Sequence, residues 1–153
     1  MSLTKKILLI LLAILVGIQF FHPEKNQSLK TEPRDIFAHY PASDNVKQLV
    51  NMTCYDCHSN STVYPWYSNI QPVAWWLNHH IEEGKKELNF SEFAAYTPKK
   101  ADHKLEEAIE NIEKKEMPLE SYTLVHHDAD LTGAQRDTII EWMKATRKLI
   151  VAK

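Results

Sequence analysis

Two cysteines and a histidine fall within five residues, Cys54-Tyr55-Asp56-Cys57-His58, and the chain has no other cysteine. The spacing C-x-x-C-H is that of covalent haem attachment. Each thiol adds across one vinyl group of the porphyrin and becomes a thioether. The two-residue gap suits the vinyl separation, and the adjoining histidine supplies a nitrogen to the iron. A haem c brings its own redox chemistry and leaves the protein to orient and tune it. Three other chemistries stay open to these residues. A thioredoxin-like dithiol needs a βαβ context, which the chain lacks. A zinc site needs two more ligands; His79 and His80 are at hand, but adjacent helical residues point about 100° apart. The third is a structural disulfide.

A second axial ligand would decide what the iron does, and Met117 is the candidate. It precedes Pro118, and a residue before proline is pushed out of the α region. Met117 is therefore expected to leave the preceding helix in extended form. A thioether is soft and uncharged and raises the potential relative to bis-histidine ligation. Read structurally, Met117 fills a gap in the core. His80 is the alternative ligand. Met52 adjoins the attachment motif on the proximal side, and Met143 lies in an apolar stripe. His126 and His127, beside Asp128 and Asp130, are expected to be exposed, while His39 and His103 have no distinguishing context. Tyr64, Pro65, Trp66 and Tyr67 are candidates to line the haem, as are Trp75, Trp76 and Tyr122; each aromatic reads equally well as ordinary core. A carbonyl near Pro65 or Pro72 is expected to accept the second ring proton of His58.

The elements that must hold these residues read as helices. Ser43-Asp44 can cap a helix carrying Val46, Leu49 and Val50, which runs straight into the motif. Pro72 suits the first turn of a second helix, whose stripe is Val73, Trp76, Leu77, His80, Ile81 and Leu88. A third spans about 99–116, with Leu105, Ala108, Ile109 and Ile112 inward and a solvated charged face. Thr132 and Gln135 form a capping box for a last helix with Ile139, Trp142, Met143, Thr146 and Leu149 on one face. The predicted class is all-α, a small cytochrome c-like domain over 42–153. Residues 22–41, with Pro23, Pro33 and Pro41, read as a linker, of which Asp35 to Tyr40 can dock through Ile36, Phe37 and Tyr40.

Residues 1–21 read as a membrane segment. Lys5 and Lys6 precede an apolar run from Ile7 to Phe21. Fifteen helical residues rise about 22 Å against a hydrocarbon core of about 30 Å, a length that also fits a cleaved signal. Large residues where a cleavage site would sit favour an uncleaved N-terminal transmembrane helix. The lysines then place the amino terminus in the cytoplasm and the haem domain in the periplasm, on a bacterial inner membrane. Without Lys5 and Lys6, 16 basic residues face 20 acidic ones, which argues against a nucleic-acid partner. Three glycines in 153 residues also argue against a β-rich fold.

Several stretches together resemble the haem-binding domain family of small, membrane-anchored bacterial c-type cytochromes. They are Cys-Tyr-Asp-Cys-His-Ser-Asn from Cys54, Thr62-Val63-Tyr64-Pro65-Trp66-Tyr67, Ile70-Gln71-Pro72, Trp75-Trp76, His80-Ile81-Glu82-Glu83-Gly84, Leu88-Asn89-Phe90-Ser91, and Met117-Pro118-Leu119 with Ser121-Tyr122-Thr123 through His126 to Leu131-Thr132. The resemblance spans about Phe37 to Trp142. It implies haem held by Cys54 and Cys57, His58 as proximal ligand and Met117 as distal ligand. The function expected is one-electron transfer between respiratory-chain partner proteins, with no bond-making catalysis. A haem-based sensor or peroxidase-like enzyme requires an open sixth site. A structural subunit of a respiratory assembly would want small residues along the N-terminal helix, and that pattern is missing.

Overall fold

In a computed structural model, which describes residues 1–28 and 32–152, the elements are helices joined by turns and loops. No strand occurs among the described residues, where an isolated bridge pairs Gln27 with Ser61. The helices are α1 (Leu3–Ile18), α2 (Ile36–His39), α3 (Asp44–Thr53), α4 (Tyr55–His58), α5 (Val73–Glu87), α6 (Pro98–Glu113), α7 (Glu120–Thr123) and α8 (Gly133–Val151). Short 3-10 turns lie at Trp66–Asn69, Phe90–Ala95 and His127–Ala129.

The scaffold is the packed pair α6 and α8, with α3 laid against α8. Thr97 caps α6 by accepting the Lys100 N–H, and Pro98 fills the first turn, where a missing N–H costs nothing. Ala101, Leu105, Ile109 and Ile112 then recur at helical spacing and are buried. The expected capping box of Thr132 and Gln135 starts α8. Its inward face holds Ile139, Ile140, Trp142, Met143, Thr146 and Ile150, whereas Leu149, expected inward, is 43% exposed. Each fully buried aliphatic side chain contributes about 1.5–3 kcal/mol. Outside this core, Arg147 grips Asp102 at 2.6 Å and Glu106 at 3.0 Å, clamping α8 to α6. Beyond α6, Lys115 adopts a positive φ of 60°. The N–H groups of Glu116 and Met117 both donate to the Asn111 carbonyl, so the chain turns out of the helix just before Met117.

The N-terminal segment departs from expectation. α1 has 16 residues, a rise of about 24 Å, short of a hydrocarbon core of about 30 Å. No helix among the described residues is long and apolar enough to cross a membrane, so the transmembrane helix expected within 1–21 is corrected to a shorter apolar helix with no buried residue. Its C-terminal end is fixed by contacts with the domain. The Gln19 side chain exchanges two hydrogen bonds with the backbone of Gln71, at 3.1 and 3.0 Å. Gln71 and Trp75 both donate to the Phe21 carbonyl. Further on, the Asn26 side chain donates to the Ser59 carbonyl and to the Thr62 hydroxyl. Residues 22–28 therefore lie on the domain; Leu29, Lys30 and Thr31, also assigned to the linker, fall outside the described residues. α2 is capped by Asp35 and buries Ile36, with Phe37 against Tyr55 and Trp142.

Candidate functional site

The attachment motif is a single tight turn, α4, at the end of α3. The N–H groups of Cys57 and His58 donate to the Cys54 carbonyl at 3.2 and 2.8 Å. Both intervening residues are anchors. The Tyr55 ring stacks between Phe37 and Phe90, and its hydroxyl donates to the Asp35 carboxylate at 2.9 Å. Burial first, then the Asp35 charge, push that phenol far above its usual range. Asp56 accepts from the Val63 N–H at 2.9 Å and from the Tyr122 hydroxyl at 2.7 Å. Its carbonyl accepts from the Thr62 hydroxyl at 2.6 Å.

Gly84 brings α5 against this turn. A Cβ at that position would lie 2.7 Å from the Cys57 carbonyl oxygen and 3.1 Å from the Cys57 Cβ. The reward for this close approach comes one turn later, where the Leu88 carbonyl lies 2.9 Å from His58 Nδ1. The expected carbonyl partner near Pro65 or Pro72 is thus replaced by Leu88, because α5 ends beside the histidine whereas Pro65 opens a turn that engages Ser68. A proton on Nδ1 leaves Nε2 with its lone pair, the form a metal needs. Burial lowers the His58 pKa, opposed by the Leu88 and Gly84 carbonyls and Glu87. Burial also pushes both thiols up to about 11, opposed at Cys54 by the Thr53 hydroxyl. They are neutral thiols at pH 7, unlike the low-pKa thiolates of dithiol oxidoreductases. The two cysteines are not joined. Among the described residues no three histidine, cysteine or acidic side chains are placed to hold a metal ion.

Cys54, Cys57 and His58 open onto a cavity of about 580 Å³, within the range of pockets that enclose a cofactor-sized ligand. Leu88 and Phe90 line it near the histidine, and Ile112, Leu131, Ile139 and Met143 line it from the α6 and α8 side. Met117 also lines it, from the segment after α6. The Met117 carbonyl accepts from Arg136 of α8 at 3.0 Å. His58 and Met117 are thus held by different parts of the fold and line the same cavity. A largely apolar chamber with two thiols at one corner, a neutral imidazole and a thioether suits haem, a broad apolar disc that takes nitrogen and sulfur ligands.

Other expected site residues are placed elsewhere. Tyr64, Pro65, Trp66 and Tyr67 do not line the cavity. Tyr64 accepts from the Asn26 N–H, Trp66 is 76% exposed, and Tyr67 pairs with His126 at 2.8 Å. Trp75 and Trp76 lie outside it too, whereas Tyr122 is in the lining. His80 lines the cavity, with Nδ1 on the Trp76 carbonyl at 2.9 Å and its ring on the Trp76 indole. His126, expected to be exposed, is half-buried, stacked on Tyr122 at 4.3 Å. Sequence reasoning missed Gly84, the Leu88 carbonyl, Asp56 and Arg136. The sole signal for any of them was a glycine within a helical pattern, which marks close approach.

No curated protein and no solved structure matches the chain. The family model of the haem-binding domain matches residues 13–145, nearly the whole helical assembly described above, and the chain belongs to that family.

Proposed function

We propose that the protein is a monohaem c-type cytochrome that carries single electrons. Cys54 and Cys57 would hold the porphyrin as thioethers, His58 would bind iron through Nε2, and Met117 would bind the other face. When bound, the haem supplies a reversible ferric–ferrous couple. The protein's part would be to hold the iron with His58 and Met117 and to surround the ring with side chains such as Leu88, Phe90, Ile112 and Ile139. The observation that carries this reading is the cavity with His58 and Met117 presented from separate elements. A cytochrome c-like arrangement is supported by the attachment turn directly following α3, and by α3 packing on the last helix. Covalent attachment of this type belongs outside the bacterial cytoplasm, so the proposal places the domain in the periplasm, exchanging electrons with respiratory proteins through a small, transient contact.

A second reading, an open-site sensor or peroxidase-like enzyme, draws on His80. It lines the same cavity with Nδ1 occupied and Nε2 free for ligation or for proton transfer near iron. Visible spectra separate the two. Methionine ligation gives ferric haem a weak sulfur-to-iron band at the red end of the spectrum. The carrier reading expects that band in the wild type and in His80→Ala, its loss in Met117→Ala, and a ferrous wild type inert to carbon monoxide. A wild type without the band that binds carbon monoxide would overturn it.

A further inference from the structure

The segment after Met117 crosses from α6 to the attachment side and is fastened there by side chains. Tyr122 reaches from α7 to the Asp56 carboxylate at 2.7 Å, and its hydroxyl also lies 3.5 Å from the Met52 carbonyl. Four residues on, His126 Nε2 pairs with the Tyr67 hydroxyl at 2.8 Å, and the His126 ring stacks on Tyr122. The outer surface of the same segment is open to solvent, Leu124 at 66% and Val125 at 58% exposed. Its inner side, with Pro118, Leu119 and Tyr122, lines the cavity, and the hydrogen bonds of Tyr122 and His126 add to that contact.

Asp56 belongs to the turn that carries both thiols and His58, and Tyr122 to the segment that begins with Met117. The hydrogen bond between them therefore ties the proximal ligand's turn to the distal ligand's segment. At the other end of that segment, Arg136 holds the Met117 carbonyl. We propose that Tyr122, latched to Asp56 and backed by His126 and Tyr67, is a positioning residue that sets how firmly the sixth ligand stays on iron. The proposal rests on Met117 being that ligand. With the latch closed, the site passes electrons and excludes added ligands. With it broken, Met117 still reaches iron but yields more readily to an external base.

The test titrates imidazole into the ferric, haem-loaded protein at constant pH and follows loss of the sulfur-to-iron band. Tyr122→Phe keeps the ring and its stacking on His126 and deletes the hydroxyl. A hydrogen bond to a charged acceptor is worth enough to shift the imidazole affinity about tenfold or more. The band itself should persist in Tyr122→Phe before imidazole is added. Arg147→Ala, which cuts the α6–α8 clamp away from this segment, controls for general loosening and should change the affinity less than about twofold. An affinity change below about threefold in Tyr122→Phe, or an equal change in Arg147→Ala, overturns the latch. Met117→Ala separates the two claims: a band that survives that substitution refutes the ligand assignment, whatever Tyr122→Phe does.

Discussion

Replacing Gly84 with alanine puts a methyl group where the fold has no room. Within an exposed helix this substitution normally stabilises by about 1 kcal/mol. Here the new Cβ would sit 2.7 Å from the Cys57 carbonyl oxygen and 3.2 Å from its carbon, where ordinary contact begins near 3.4 Å. Both atoms are backbone, so no side chain can swing aside. α5 must withdraw by about 0.7 Å, the difference between those distances. Overpacking of this kind costs about 1–3 kcal/mol, which outweighs the propensity gain and reverses the usual sign. The same movement draws the Leu88 carbonyl away from His58 Nδ1, now at 2.9 Å. Urea unfolding measures the effect as a lower midpoint at unchanged slope. Gly133→Ala is the reference, since nothing lies within 4 Å of a Cβ there, and it should be neutral or slightly stabilising. A Gly84→Ala protein as stable as Gly133→Ala would refute the close-approach argument.

Leu105 is fully buried, so Leu105→Ala should cost about 2–5 kcal/mol, whereas Leu124→Ala, at a position 66% exposed, should stay within about 0.5 kcal/mol; similar losses in the two would contradict the placement of the core. Thr132→Ala breaks the capping box of α8 and should cost about 1 kcal/mol, most of it restored by Thr132→Ser, as read from denaturation midpoints. Arg147 holds the Asp102 carboxyl below its ordinary value of 3.8. A depressed pKa gives stability that is present above the unfolded value and disappears as pH falls through the folded one. The stability difference between wild type and Arg147→Ala should therefore be full at neutral pH and shrink below about pH 3.8; a difference independent of pH would speak against that pair.

How far the sequence reached depends on the range of the signal. The grouping of the two thiols with His58 was legible because all three fall within one turn, and they open on the same cavity. The Thr132 box and the buried faces of α6 and α8 were legible because capping and periodicity are local. The Leu88 carbonyl was not, since every residue carries a carbonyl and none advertises its partner. Gly84 shows its role only with Cys57 opposite it, since the close approach joins residues 27 positions apart. Residues 64–67 were misassigned because an aromatic cluster reads alike whether it faces a cofactor, as expected, or solvent, as Trp66 does. The end of α1 is tied to the domain by two hydrogen bonds between Gln19 and Gln71, 52 positions apart. His126 found cover from Tyr67 and Tyr122, which no flanking charge could reveal.

The proposed thioether bonds from Cys54 and Cys57 to a porphyrin would survive denaturation, so the decisive measurement is the intact mass under denaturing conditions of protein made in cells competent for haem attachment. The expected result is a polypeptide heavier by one haem, with neither sulfur open to alkylation, and no retained haem in the Cys54→Ala/Cys57→Ala double variant. A bare polypeptide mass with two alkylatable thiols, or a haem lost on denaturation, would contradict it.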